Sequence, residues 1–388
     1  MNRTIGGALV VATLAALAAT VAIVCAPAQR PAHTSDVRSV EAVPPLPSEL
    51  ACPVLRAAPR AVQAAGDEGD GQCDVVPRVR AAFPKSATLP DDEVQALRLA
   101  VENAVAAHPR ACVAALGREL VKASDCGVVY DAVAIRILNG ANVDPVLAAG
   151  ELTRAALCQW KIVSALREAE KTSPVMVATV LNLTASPDED VRNAAWMTLG
   201  TLERIARSAS QSELTACIDE PVAAELSHRT GDARAVLVGA AGNAGCDGCR
   251  GSLEKIIDGE EPSLRRSAVA ALRYFSDEPA VSRLCTLVRT DKDATVRSSA
   301  AYALRHGTSF VESRFACLFE SATQDAVDGV SRDAVVSIAE LAEKSQLGVG
   351  TLVHVMKTAP REQTRKQAAQ ALRAFATDEA IRDISRSP

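Results

Sequence analysis

Aromatic residues are scarce in this chain. Of 388 residues, 3% are aromatic: two Trp, three Tyr and six Phe. Sheet proteins draw heavily on aromatic and β-branched residues in alternation, and no run of alternating strands can be read here. A β-sandwich or barrel is therefore excluded. Basic excess is missing too. Lys and Arg number 42 against 47 Asp and Glu, for a net charge of −5. A nucleic-acid binder is expected to carry a basic stripe with interleaved aromatics, and none is present. Histidine is limited to His33, His108, His228, His306 and His354. They show neither His-Glu-x-x-His nor His-x-His spacing, and no His-Glu pair occurs, so they read as loop or helix-end residues rather than ligands. Gly-x-Ser-x-Gly, Gly-x-Gly-x-x-Gly and Walker loops are absent as well. The sequence assigns no catalytic residue, no metal ligand and no cofactor, and it reads as non-enzymatic.

What is present is a recurring helical phrase. An acidic residue precedes an aliphatic-Arg pair, then small residues at helical spacing, then Leu. It runs from Asp190-Val191-Arg192 through Ala195 to Leu199, and from Glu261 through Leu264-Arg265 and Ala268 to Leu272. It returns from Asp293 through Val296-Arg297 and Ala300 to Leu304, and as Thr364-Arg365 through Ala368 to Leu372. Weaker copies start at Ala233 and Ser331, giving steps of 42, 31, 32, 35 and 33 residues. Two helices and two short turns need about that length. Residues at i, i+4 and i+8 share one helix face, which becomes the seam between repeats. Such a unit cannot bury its apolar face alone, so copies must stack. The expected fold is all-α: a solenoid of about seven to nine helix pairs. The Arg beside the seam is expected to point off it and to bond the acidic residue before its own or a neighbouring helix. The expected ladder is Asp190, Arg192, Glu261, Arg265, Asp293 and Arg297.

These phrases resemble the HEAT repeat family in its short form, the bacterial PBS-lyase-type HEAT repeats, over roughly 150–384. A narrower stretch is similar to the helical domain of large lipid transfer proteins, such as vitellogenin and microsomal triglyceride transfer protein. Leu237 through Gly245 resembles their LGNAG segment, Ala270-Ala271-Leu272-Arg273 their ALR phrase, and Leu199-Gly200-Thr201-Leu202 their LGSL helix. In that family the helical domain is an arch bracing a β-sheet lipid cavity. The resemblance implies shared helical architecture and, as an alternative function, lipid or hydrophobic-cargo binding.

The N-terminus sets the expected compartment. A basic start is followed by an uncharged run from Ile5 to Ala28 with small residues at its end. This reads as an export signal cleaved near Ala28 or an anchor formed by 5–26. Residues 29–50 read as a Pro-rich linker, 51–89 as a Cys-containing segment, and 90–384 as the repeat array. The acidic loop Gly66 through Gly71 lacks the alternating carboxylates of a calcium site and reads as solvated. Cys25 falls inside the apolar run.

Cysteine usage agrees with export. The chain has 11, and removing Cys25 leaves an even number, as an oxidising compartment favours. Candidate disulfide cysteines are Cys52, Cys73, Cys112, Cys126, Cys246, Cys249, Cys285 and Cys317. Spacing suggests Cys52 with Cys73, Cys112 with Cys126, and Cys285 with Cys317 one repeat apart. Cys246-Asp247-Gly248-Cys249 can be a structural bridge, a redox dithiol or half a zinc site; it lacks the βαβ setting of a redox motif. Trp160 and Trp196 read as core residues, with an exposed anchor as the alternative. Acid runs at Asp188–Asp190 and at 260–261 read as helix starts.

These features point to a non-catalytic scaffold outside the cytoplasm, binding a protein partner along a concave groove lined by the second helices. The alternatives are the lipid-cargo component and a thiol-redox or lyase enzyme using Cys246 and Cys249.

Overall fold

A computed structural model describes residue 52 and residues 73–123, 126–139, 158–259, 261–345 and 347–375. The expected export segment and linker, Cys25, His33, the acidic loop at 66–71 and the expected array end beyond 375 lie outside them. No strand occurs among the described residues. Nor is any helix among them long and apolar enough to cross a membrane.

The chain runs through α1 (Val76–Ala82), α2 (Asp91–Ala107), α3 (Pro109–Lys122), α4 (Val128–Leu138), α5 (Gln159–Ala165) and α6 (Pro174–Leu183). It continues through α7 (Glu189–Ser208), α8 (Ser212–His228), α9 (Gly231–Ala244), α10 (Arg250–Gly259), α11 (Pro262–Ala271) and α12 (Glu278–Thr290). The last helices are α13 (Ala294–Leu304), α14 (Val311–Gln324), α15 (Asp328–Ala342), α16 (Leu347–Thr358) and α17 (Glu362–Phe375).

Side chains at the turns start several of these helices. Ser173, Asp188, Glu261, Asp277 and Asp293 each accept hydrogen bonds from backbone N–H groups of the turn they precede. A cap of this kind contributes about 1 kcal/mol. Pro at the first or second position of α6, α11 and α12 sets φ where no N–H is needed.

From α8 onward the helices pair as α8–α9, α10–α11, α12–α13, α14–α15 and α16–α17. The second helices form one layer, with α7 on α9, α9 on α11, α11 on α13, α13 on α15 and α15 on α17. The first helices form the other, including α12 on α14 and α14 on α16. The phrase residues make the seam: Val191, Ala195, Leu199, Val296, Ala300, Leu304 and Ala368 are all buried. Helical packing also begins upstream of Pro90, since α1 packs on α3.

Small residues set the spacing. A Cβ placed on Gly200 would lie 2.1 Å from the Ala240 carbonyl oxygen, and one on Gly242 would lie 2.7 Å from the Ala271 Cα. These are the glycines of the two phrases that resemble the lipid transfer arch. Their local role is to let α7, α9 and α11 approach backbone to backbone. Gly200→Ala is expected to lower stability by about 2–3 kcal/mol, because backbone must move. Gly251→Ala, on α10 where a Cβ meets nothing within 4 Å, should raise it by up to about 1 kcal/mol. Chemical denaturation of both variants checks the contrast; equal effects would contradict the close approach.

Candidate interaction surface

The ladder differs from its sequence expectation. Glu261 and Asp293 are N-caps of their own helices, and Asp188, not Asp190, caps α7. The acids that receive the arginines come from the next repeat's turn. Arg265 pairs with Asp291 at 3.2 Å, and both side chains are under a tenth exposed. Arg297 binds Asp325 through Nε at 2.7 Å and Nη2 at 3.0 Å. The arginines therefore lie in the seam between repeats, not off it. A second device recurs. Arg192, Arg297 and Arg365 each donate through Nη1 to the carbonyl six residues earlier, on Ser186, Asp291 and Ala359. Each thereby ties its helix to the turn that starts it. Asp291 links both devices, accepting from Arg265 on its carboxylate and from Arg297 on its carbonyl. At Ser331 the pattern lapses: Arg332 is exposed, and Arg361 reaches back to Ser331 and Asp328 instead.

Five cystines occupy the described residues: Cys52–Cys217, Cys73–Cys112, Cys126–Cys158, Cys246–Cys249 and Cys285–Cys317. The pairings of Cys52 with Cys73 and of Cys112 with Cys126 are thus replaced. Cys73 is held on α3 because α1 packs there, and Cys126 reaches one repeat forward. Separations of 39, 32 and 32 residues show the rule: a cysteine meets its counterpart one repeat on. That spacing was available in the sequence. Cys158 and Cys217, which the sequence reading left out, receive Cys126 and, across 165 residues, Cys52.

Both sulfurs of the Cys246–Cys249 bridge belong to residues that are fully buried. The bridge follows Gly245, whose left-handed backbone (φ 65°) ends α9. An external thiolate needs access to a sulfur, so this geometry suits a staple better than an exchange centre. Beside it sits a buried acid. Glu203 on α7 is fully buried, and its Oε1 accepts from Arg207 Nη2 at 2.7 Å. Arg207 also binds Asp219 of α8 at 3.3 Å and Asp247 at 3.2 Å. Glu203 Oε2 and Asp219 Oδ1 are buried without a hydrogen-bond partner. Burial first, and then the negative charge of Asp219, push the Glu203 carboxyl up to about 9. A protonated Glu203 donating to Asp219 satisfies both orphaned oxygens. Among the described residues, no group of three or more His, Cys, Asp or Glu could hold a metal ion.

Trp196 is buried, whereas Trp160 is 41% exposed with Lys161 over its ring. The core expectation fails for Trp160 because α5 turns that side chain outward beside its own lysine.

Two tyrosines and a histidine gather at one place. Tyr274 and Tyr302, two of three tyrosines in the chain, lie with His306 at the C-terminal ends of α11 and α13. Tyr274 meets His306 at 6.0 Å between rings, and Tyr302 meets it at 4.7 Å. Arg204 from α7 and Arg273 lie 5.6 and 4.8 Å from the Tyr274 ring, and Arg305 lies 4.3 Å from the Tyr302 ring. Arg273 also donates to Asn243 of α9, and Arg305 to Glu340 of α15. The cluster thus runs across the second-helix layer from α7 to α15. Burial first, then the charges of Arg305, Arg273, Lys344 and Arg314, push the His306 imidazole down to about 4. It stays neutral at physiological pH and accepts from Arg305 Nε. Sequence reasoning missed this cluster because its members come from separate repeats. The hint was that Arg273-Tyr274 and Arg305-His306 occupy matching positions, ten residues after Ser263 and Thr295.

No curated protein matches the chain. The family model described as HEAT repeats matches residues 220–305, from within α8 to the end of α13. That stretch holds three of the phrase copies and most of the tyrosine cluster, and the match supports the HEAT repeat family for this α-helical array while lending nothing to the lipid transfer resemblance.

Proposed function

We propose that this protein is a non-catalytic, HEAT-type scaffold that binds a protein partner through the tyrosine–arginine edge of its second-helix layer. HEAT repeats typically serve as protein-interaction scaffolds. The observation that carries the reading is the concentration of Tyr274, Tyr302 and three arginines on one edge of an aromatic-poor chain. Tyr and Arg dominate interface energetics, since both give large contact area with polar ends. Action outside the cytoplasm is part of this proposal. Five cystines and the basic-then-apolar N-terminus support it.

The lipid-cargo alternative has less support. A groove of about 320 Å³ beside Cys285–Cys317 is lined by Glu278, Arg289, Ser282 and Phe310. It is an open groove that mixes these with apolar side chains such as Val281 and Ala316, not a dedicated apolar cavity.

Native mass spectrometry of the full chain purified gently from its own cell envelope tests the proposal. A polypeptide co-purifying in fixed ratio is the expected result. A stoichiometric lipid mass with no second protein would overturn the scaffold reading.

A further inference from the structure

We propose that the cluster around Tyr274 docks an acidic peptide segment of the partner, with a carboxylate seated against Arg204 and Arg273 and the adjoining chain lying over the Tyr274 ring. This rests on the scaffold reading above and names its partner's chemistry.

Arg204 and Arg273 both lie over the ring of Tyr274, which is 39% exposed. Arg273 is fixed in place by the Ala270 carbonyl and by Asn243. Arg204 pairs with no carboxylate among the described residues. It is half-buried beside the ring, and among the described residues its guanidinium donors have no acceptor. A planar guanidinium already placed on an aromatic face loses little freedom on taking up a carboxylate.

The surroundings have the matching sign. Arg305, Lys344 and Arg314 add to the positive field that acts on His306. Arg314 is fully buried and donates to the carbonyl oxygens of Leu304 and Ser309, and no acid among the described residues pairs with it. Among the described residues, Glu340 is the one carboxylate that hydrogen-bonds into the cluster, through Arg305. The chain as a whole is acidic, at −5. A negatively charged segment is therefore repelled by most of the surface and drawn to this edge. A bare polyanion would use the cations alone. The central exposed tyrosine adds an apolar platform suited to a peptide.

The test uses the full chain and a fluorescein-labelled peptide of alternating glutamate and leucine, with its lysine counterpart and a single-stranded oligothymidine as controls. Fluorescence anisotropy is followed at low and at physiological salt. The glutamate peptide is expected to bind and the lysine peptide not to. Arg204→Ala and Tyr274→Ala should each weaken binding by about tenfold. Arg266→Ala, at an exposed position of α11 outside the cluster, should leave it unchanged. Thermal melts of all three variants confirm that they remain folded.

Three results would overturn the proposal: no saturable binding at low salt, binding indifferent to Arg204→Ala and Tyr274→Ala, or oligothymidine binding as tightly as the peptide. If the peptide fails while a stoichiometric protein is still recovered from the envelope, the acidic-segment assignment falls and the scaffold reading stands. Recovery of lipid alone removes both.

Discussion

Arg297→Ala is expected to destabilise the array by about 3–5 kcal/mol, the usual effect of removing one partner from a buried ion pair. The Arg297 and Asp325 side chains are 12% and 5% exposed. Two parallel hydrogen bonds join them, and a third runs from Arg297 to the Asp291 carbonyl. Burial alone would raise the Asp325 carboxyl. Arg297 and the Val327 N–H outweigh burial and hold it below its ordinary value. Without Arg297, a desolvated carboxylate remains in the seam with too few donors. The sign with pH follows. A carboxyl lowered in the folded state contributes stability above its unfolded pKa, and that contribution fades as pH falls through the folded value. The cost of Arg297→Ala should therefore be full at pH 7 and should shrink below about pH 4. Urea denaturation at both pH values measures it. A double variant with Asp325→Ala should recover part of the loss, because the stranded charge leaves with its partner. Arg332→Ala, on the equivalent position of α15 but 61% exposed, should cost well under 1 kcal/mol. If Arg297→Ala proves equally mild, the seam ladder does not hold the repeats together.

Glu203→Gln is expected to act in the opposite direction. Glu203 is raised from an ordinary 4.5 to about 9. A carboxyl raised in the folded state gives a contribution that is complete below its unfolded pKa and disappears as pH rises through the folded value. The wild-type protein should thus lose stability steadily between about pH 5 and pH 9. Glutamine keeps the carbonyl that accepts from Arg207 and offers an N–H to Asp219 without ionising. The gain should be near zero at pH 5 and on the order of 3 kcal/mol at pH 8. Melting curves across that range should flatten in the variant. A parallel pair of pH profiles would show that Glu203 holds no proton and that Arg207 neutralises it outright. Glu203→Ala is the complementary variant. It leaves the buried Asp219 Oδ1 without a donor, with Arg207 still on Oδ2, and should destabilise at every pH.

How much of this was legible beforehand varies with the range of the interaction. The seam residues Val191, Ala195 and Leu199, with their counterparts at 296, 300 and 304, follow from helical periodicity and are buried as that periodicity requires. Helix starts at Asp188, Glu261 and Asp293 follow from local cap chemistry, which involves residues two and three apart. The glycines at 200 and 242 were visible as part of a family-like phrase. Their role, a backbone approach that admits no Cβ, needed the neighbouring helix. Ladder partners were harder still. From sequence the acid nearest Arg297 is Asp293, but that carboxylate is engaged by Thr295 and Val296 N–H groups. The arginine is then free for Asp325, 28 residues away.

Thus the sequence by itself determined the class of the protein: an all-α array of short repeats with capped helices, small-residue seams and enough cysteine to staple neighbours. Those features depend on contacts within one helix or on a period carried along the chain. Only the tertiary structure decided which arginine meets which acid, which cysteines join, and that Glu203 shares a buried site with Asp219. It also decided that Arg204, Arg273, Tyr274, Tyr302 and His306 form one edge. These residues come from α7, α11 and α13 and the turns that follow them. The stacking angle and helix spacing that bring them together depend on packing summed over many small side chains. No local pattern encodes that sum.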